Sequence, residues 1–159
     1  AYLSLGYKSR SIACFPKQDE ISGCHVVTMV YSPQLKKWIY MDPSFNAYFV
    51  DEDGSLLDFR EIRERMISNK PLFVNEDNTW ISKIVSYKTY IADNFVRLSC
   101  PVVSAFDYGT PDKDRSYIEL VPKKLNLTGK HVVEQSDGYA TKTYLISNPD
   151  YFWAVPDDE

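Results

Sequence analysis

His25 and Asp42 are the residues of this chain whose types and spacing could move a proton. An imidazole titrates near neutral pH, so it can take a proton from a nucleophile and return it to a leaving group. A carboxylate beside it holds the ring in one tautomer and stabilises the imidazolium that forms. The two side chains must lie within hydrogen-bond reach. His25 opens the run "HVVTMVY", and Asp42 closes "WIYMD"; between them "SPQLKK" reads as a turn. In a hairpin the start of the first strand lies opposite the end of the second, and facing side chains are about 5 Å apart. The spacing therefore predicts that His25 and Asp42 meet at one end of a sheet, with Pro43 ending the second strand there. Spacing alone also fits a surface histidine and a proline-ended strand.

Such a pair serves a nucleophile, and three thiols are available. Cys14 falls in mid-strand, where a cysteine packs as a small apolar side chain. Cys24 precedes His25 on the same strand, so its side chain is expected on the opposite face. Cys100 stands before Pro101, far downstream. A reactive thiolate needs a helix N-terminus or a neighbouring cation, and none of the three has a helix start beside it. Their odd number and wide spacing give no disulfide framework, and no CxxC pair points to zinc. The second histidine, His131 in "TGKHVV", reads as a loop or strand-edge residue.

The elements that must position the pair follow from pattern. "AYLSLG" (1–6) reads as the last turn of a helix stopped at Gly6, because glycine takes the left-handed cap conformation at little cost. "YKSRSIACF" (7–15) alternates as a strand, and "PKQDEISG" is a polar loop. Residues 24–31 and 38–42 form the hairpin, 47–51 a third strand, and "EDGS" a turn. Asp58 with Glu61 makes an Asp-type capping box. Phe59, Ile62 and Met66 supply the helical period behind it, which predicts a helix over 58–68. "NKPLFVNEDN" reads as a loop. Trp80, Ile84, Tyr87 and Ile91 predict a second helix over 80–93. Strands are expected at 95–106, with a break at Pro101, at 116–122 and at 139–147, and the tail "NPDYFWAVPDDE" reads as irregular. Helix fragments with a mainly antiparallel sheet make an α+β fold.

Composition bounds what such a chain does. Its 159 residues suit one domain with a core of its own. With 44% hydrophobic and 25% charged residues the chain is globular rather than disordered. The 14% aromatic content suits half-exposed strands. The net charge is −4 with acids and bases interspersed, which excludes the basic stripe of a nucleic-acid binder. No apolar run reaches the length of a membrane span. The sequon at Asn126 reads as a chance triplet.

Several of these residues occur in a familiar order. Leu5-Gly6-Tyr7-Lys8-Ser9-Arg10, His25, Trp38 and Asp42-Pro43-Ser44 resemble the core of the transglutaminase-like superfamily. There a "lGipaR" strand entry precedes a histidine strand, an aromatic residue and a "DPT" strand end. "VDEDGSLLDFREIRERM" is similar to the turn and helix that usually follow. The resemblance covers residues 1–68, a partial core, and leaves 69–159 as a C-terminal extension of the same domain or a small β-rich lobe. It departs from the pattern at Val26 and Val27, where the family carries a small residue and then often an aromatic one.

What the resemblance implies is specific. The fold would be a papain-like α+β core. The chemistry would be that of a thiol acyltransferase or hydrolase acting on amide bonds of a peptide or protein through a Cys-His-Asp triad, with no cofactor and no metal. His25 and Asp42 would be its catalytic residues. The family's nucleophilic cysteine starts the helix that ends at "LSLG", so it is expected upstream of residue 1, and this fragment alone is expected to be inactive. The other reading is a non-catalytic module of the same fold that binds peptides or partner proteins through its aromatic surface. The resemblance leans to a bacterial, extracytoplasmic setting.

Overall fold

Alternation of apolar and polar residues sets the first three strands. The computed structural model describes residues 2–16, 24–102, 114–121, 131–136 and 139–154. Strand β1 is Ser9–Phe15, β2 is His25–Ser32 and β3 is Lys37–Met41. β1 and β2 pair antiparallel with Cys14 opposite His25 and Ile12 opposite Val27. β2 and β3 pair antiparallel with Met29 opposite Tyr40 and Thr28 opposite Met41. Paired residues share a face, and faces alternate along a strand. Ile12, Cys14, His25, Val27, Met29, Trp38 and Tyr40 therefore all point into the core, and all are buried. Asp42 continues the parity of Trp38 and Tyr40 past the end of β3, and it is buried on the same side.

The sheet extends in the order β3-β2-β1-β6-β7-β9-β8, where β6 is Arg97–Pro101, β7 Asp114–Leu120, β8 His131–Ser136 and β9 Tyr139–Ile146. β7 and β9 run parallel; the other neighbours are antiparallel. β4 (Phe49–Val50) and β5 (Phe73–Val74) make a separate two-stranded ribbon. With α1 (Phe59–Ile67), α2 (Tyr87–Asn94) and the short α3 (Pro149–Phe152) the fold is α+β with a mainly antiparallel, mixed sheet. Residues 1–68 and 69–159 share that sheet, because β6 lies directly against β1. They also share a core, because Tyr87, Ile91, Phe95 and Trp153 pack with Tyr40 and Phe59.

Aromatic burial holds this core. The Tyr40 ring lies 5.3 Å from Phe49 and 5.0 Å from Phe59, centroid to centroid, and Phe59 stacks on Phe95 at 5.6 Å. Each such ring contributes about 2–3 kcal/mol by leaving water. The capping box at the start of α1 forms as expected. Glu61 N–H donates to the Asp58 carboxylate at 2.8 Å, and Asp58 N–H donates to the Glu61 carboxylate at 2.8 Å. Gly6 takes φ 82° and closes a single 3-10 turn, Leu3–Leu5.

Three expectations differ from the structure, and His131 falls on a strand edge as expected. The second helix begins at Tyr87, not Trp80, because Ser86 caps it there by accepting from Thr89 N–H at 3.1 Å. Residues 80–86 form a loop instead, closed by Trp80 Nε1–H donating to Val85 C=O at 2.8 Å, and Ile84 points into solvent. The "NKPLFVNEDN" loop contains β5, whose two residues pair with Phe49–Val50. His131 opens β8, an edge strand paired with β9. The tail is not wholly irregular: α3 places Phe152 and Trp153 in the core. The polar loop at 17–23, the strand end at 103–106, Pro122 and the sequon at Asn126 lie outside the described residues.

Candidate active site

Register brings His25 and Asp42 together. Continuing the β2–β3 ladder by one residue sets Asp42 opposite Val27, two residues along from His25 and on the same face. That diagonal is within reach of an imidazole. His25 Nε2 lies 2.6 Å from Asp42 Oδ2. A carboxylate only accepts, so the Nε2 proton is donated to it and the neutral ring keeps its lone pair on Nδ1. Asp42 is the only hydrogen-bond partner of the His25 ring among the described residues. Phe45 stacks along the ring at 5.6 Å and Tyr90 meets it edge-on at 5.2 Å, so the imidazole is clamped by apolar surface.

Asp42 is 1% exposed, and its oxygens are fully engaged. Oδ1 accepts from Ser44 N–H at 3.0 Å. Oδ2 accepts from His25 and also from the Tyr87 hydroxyl at 2.7 Å. Since the Tyr87 O–H donates to the carboxylate, its oxygen accepts from Tyr40 OH at 2.5 Å. Burial, above all, pushes both phenols well above the ordinary tyrosine range, so they remain donors. The backbone is fixed independently. Asp42 N–H donates to Ala47 C=O at 2.8 Å, and Ala47 N–H donates back to Asp42 C=O at 3.0 Å. Asn75, buried on the following loop, accepts from Tyr48 N–H and donates to Asn46 C=O, both at 2.8 Å.

The thiols stand apart from this order. Cys14 shares the face of His25 and is its direct cross-strand partner, but it is fully buried. Burial pushes its thiol far up, and the Asp42 charge adds to the effect. Cys100 is also buried, and its thiol is pushed up to about 11 by desolvation, with Arg10 opposing. Cys24 is exposed, next to the buried His25. No group of His, Cys, Asp and Glu able to hold a metal ion occurs among the described residues.

Sequence reasoning found His25 and Asp42 but missed Tyr87, Tyr40, Ser44, Phe45 and Tyr90. Two weak signals were present in the sequence, though neither names a partner. Tyr40 has the parity of Asp42, two residues away, and Tyr87 follows a serine suited to cap a helix. A buried phenol needs a polar partner: Tyr87 finds it in Asp42, and Tyr40 finds it in Tyr87. Trp38, matched above to a family aromatic, lies in the core. It packs edge-on against Tyr31 at 5.4 Å and carries the Arg10 guanidinium 5.2 Å above its ring.

No family model, no curated protein and no solved structure matches this chain.

Proposed function

We propose that this chain carries the histidine–carboxylate half of a transglutaminase-like thiol acyltransferase or hydrolase acting on peptide or protein amides. The observation that supports it is the orientation of His25. Nε2 is tied to a buried, fully satisfied carboxylate, and Nδ1 remains as the base. In the reaction Nδ1 takes the proton of a thiol as its sulfur attacks the amide carbonyl carbon. The imidazolium, stabilised by Asp42, then gives that proton to the departing amine nitrogen, leaving a thioester. Water or a second amine, deprotonated by the same Nδ1, resolves the thioester to acid or to a new amide. In this reading the thiol comes from a segment outside residues 1–159, because Cys14 and Cys100 are buried with raised thiol pKa values. Cys24 is excluded by the alternation that puts it across the strand from His25.

The test is peptide-amide hydrolysis and amine exchange by the protein expressed with its upstream coding sequence. His25→Ala is expected to lower turnover about 10⁴-fold or more. Asp42→Ala is expected to lower it about 10²–10⁴-fold, because the ring can then take the wrong tautomer. Full activity in a folded Asp42→Ala variant refutes the triad. Residues 1–159 alone are expected to show no thiol-dependent hydrolysis, with iodoacetamide alkylating only Cys24 and at the same rate in His25→Ala. The second reading is a non-catalytic module of the same fold that binds peptides or partner proteins. Absence of any upstream cysteine would favour that one.

A further inference from the structure

Asp42 could satisfy its buried oxygens in many ways, and the way it does so has a directional consequence. We propose that Tyr87, held in turn by Tyr40, is a positioning residue that fixes the proton of His25 on Nε2 by denying the Asp42 carboxylate any other orientation. The donors form a chain, Tyr40 OH to Tyr87 OH to Asp42 Oδ2, and His25 Nε2 donates to the same oxygen. Ser44 N–H holds Oδ1, so rotating the carboxylate would break both the Oδ1 and the Oδ2 contacts at once.

Each member is carried by a different element. Tyr40 lies in β3, Tyr87 at the first turn of α2, His25 at the start of β2, and Asp42 just past β3. The helix thus sets a proton position in the sheet. Tyr40 and Tyr87 are buried in the aromatic core, with Tyr87 tilted 5.6 Å from Phe49, so neither hydroxyl can turn to water. Among the described residues no hydrogen bond joins either phenol to the imidazole, so their effect on its proton passes through Asp42. The catalytic value of the fixed tautomer rests on the thiol acyl-transfer reading; the proton placement itself does not.

The experiment is nitrogen-15 NMR of the two histidine rings in uniformly labelled protein, with His25 assigned by loss of its signals in His25→Gln. In the wild type, Nε2 is expected to read as the protonated nitrogen and Nδ1 as the bare one, with a slowly exchanging Hε2. Tyr87→Phe removes one charge-assisted bond and is expected to speed Hε2 exchange with water about ten-fold or more, while the amide spectrum stays native. Tyr40→Phe touches neither Asp42 nor His25, and is expected to speed it about three-fold. Exchange within about two-fold of wild type in a folded Tyr87→Phe overturns the proposal, since the bond's loss would then move nothing. Should that variant not fold, Tyr40→Phe decides: unchanged exchange overturns the proposal, and faster exchange supports it. A protein expressed with its upstream coding sequence that neither hydrolyses nor exchanges an amide, while showing the expected exchange pattern, overturns the function and leaves this inference standing.

Discussion

Asp42 and Glu119 are buried carboxylates on opposite faces of one sheet, and they are held in opposite ways. The ladder Ala13–Ser99–Glu119 lies on the face that Cys14, His25 and Asp42 turn away from. Glu119 has a full cation beside it, Arg97, at 3.1 Å. Asp42 instead has a histidine, a phenol and a backbone amide, all aligned. Desolvation of Glu119 outweighs its guanidinium, and its carboxyl is raised above the ordinary range. Arg97 also lies over the Phe15 ring at 5.2 Å, and its buried Nε has no partner. A formal ion pair with one good contact offsets burial less well than several directed donors.

Asp42→Ala is the sharpest way to break this contrast. It orphans three donors, two of them in the core, and is expected to lower unfolding stability by about 3 kcal/mol in urea titration. A loss below about 1 kcal/mol would show that the donors find other partners. Asn75→Ala leaves the carboxylate in place but releases the loop that returns beside it. The bonds of that side chain to Tyr48 and Asn46 are lost, and about 2 kcal/mol is expected. Turnover should fall with it if the loop orients Asp42.

Glu119→Gln is the smallest change expected, within about 1 kcal/mol at neutral pH. Its pH dependence sharpens the comparison. With its folded pKa raised, Glu119 binds a proton more tightly in the folded than in the unfolded protein. Its favourable contribution is therefore complete below the ordinary value of 4.5 and is lost as pH rises through the raised one. Stability profiles of wild type and Glu119→Gln should differ by that falling slope. A Glu119→Gln variant as damaged as Asp42→Ala would erase the distinction between the two faces.

Much of the site was legible because its logic is short-range. Parity and a hairpin turn place His25 against Asp42, and a four-residue pattern places the cap at Asp58. Tyr87 was not legible as a partner. It lies 45 residues from Asp42, and its helical period, shared with Trp80 and Ile84, described a longer helix than forms. Ser86 interrupts that period through a hydrogen bond that apolar spacing does not encode. β5 has two residues, too few for alternation to register, and β8 draws its order from β9 rather than from its own pattern. The placement of β6 against β1 is a crossover between segments some eighty residues apart, which no local signal carries.

The order of strands at the far side of the sheet constrains how the chain can be assembled. β9 lies between β7 and β8, although both precede it in the chain. Among the described residues β8 has no neighbour in the sheet but β9. As the polypeptide emerges from its N-terminal side, β1 to β3 can zip immediately as a hairpin stack, with Asp42 and His25 in register. β8 must wait, with its edge bare, until residues 139–146 arrive to be inserted between it and β7. Trp153, which covers Phe59, is synthesised after that. The half that carries the candidate site is thus the early half of synthesis. The late half holds the segment most exposed to pairing with the wrong chain.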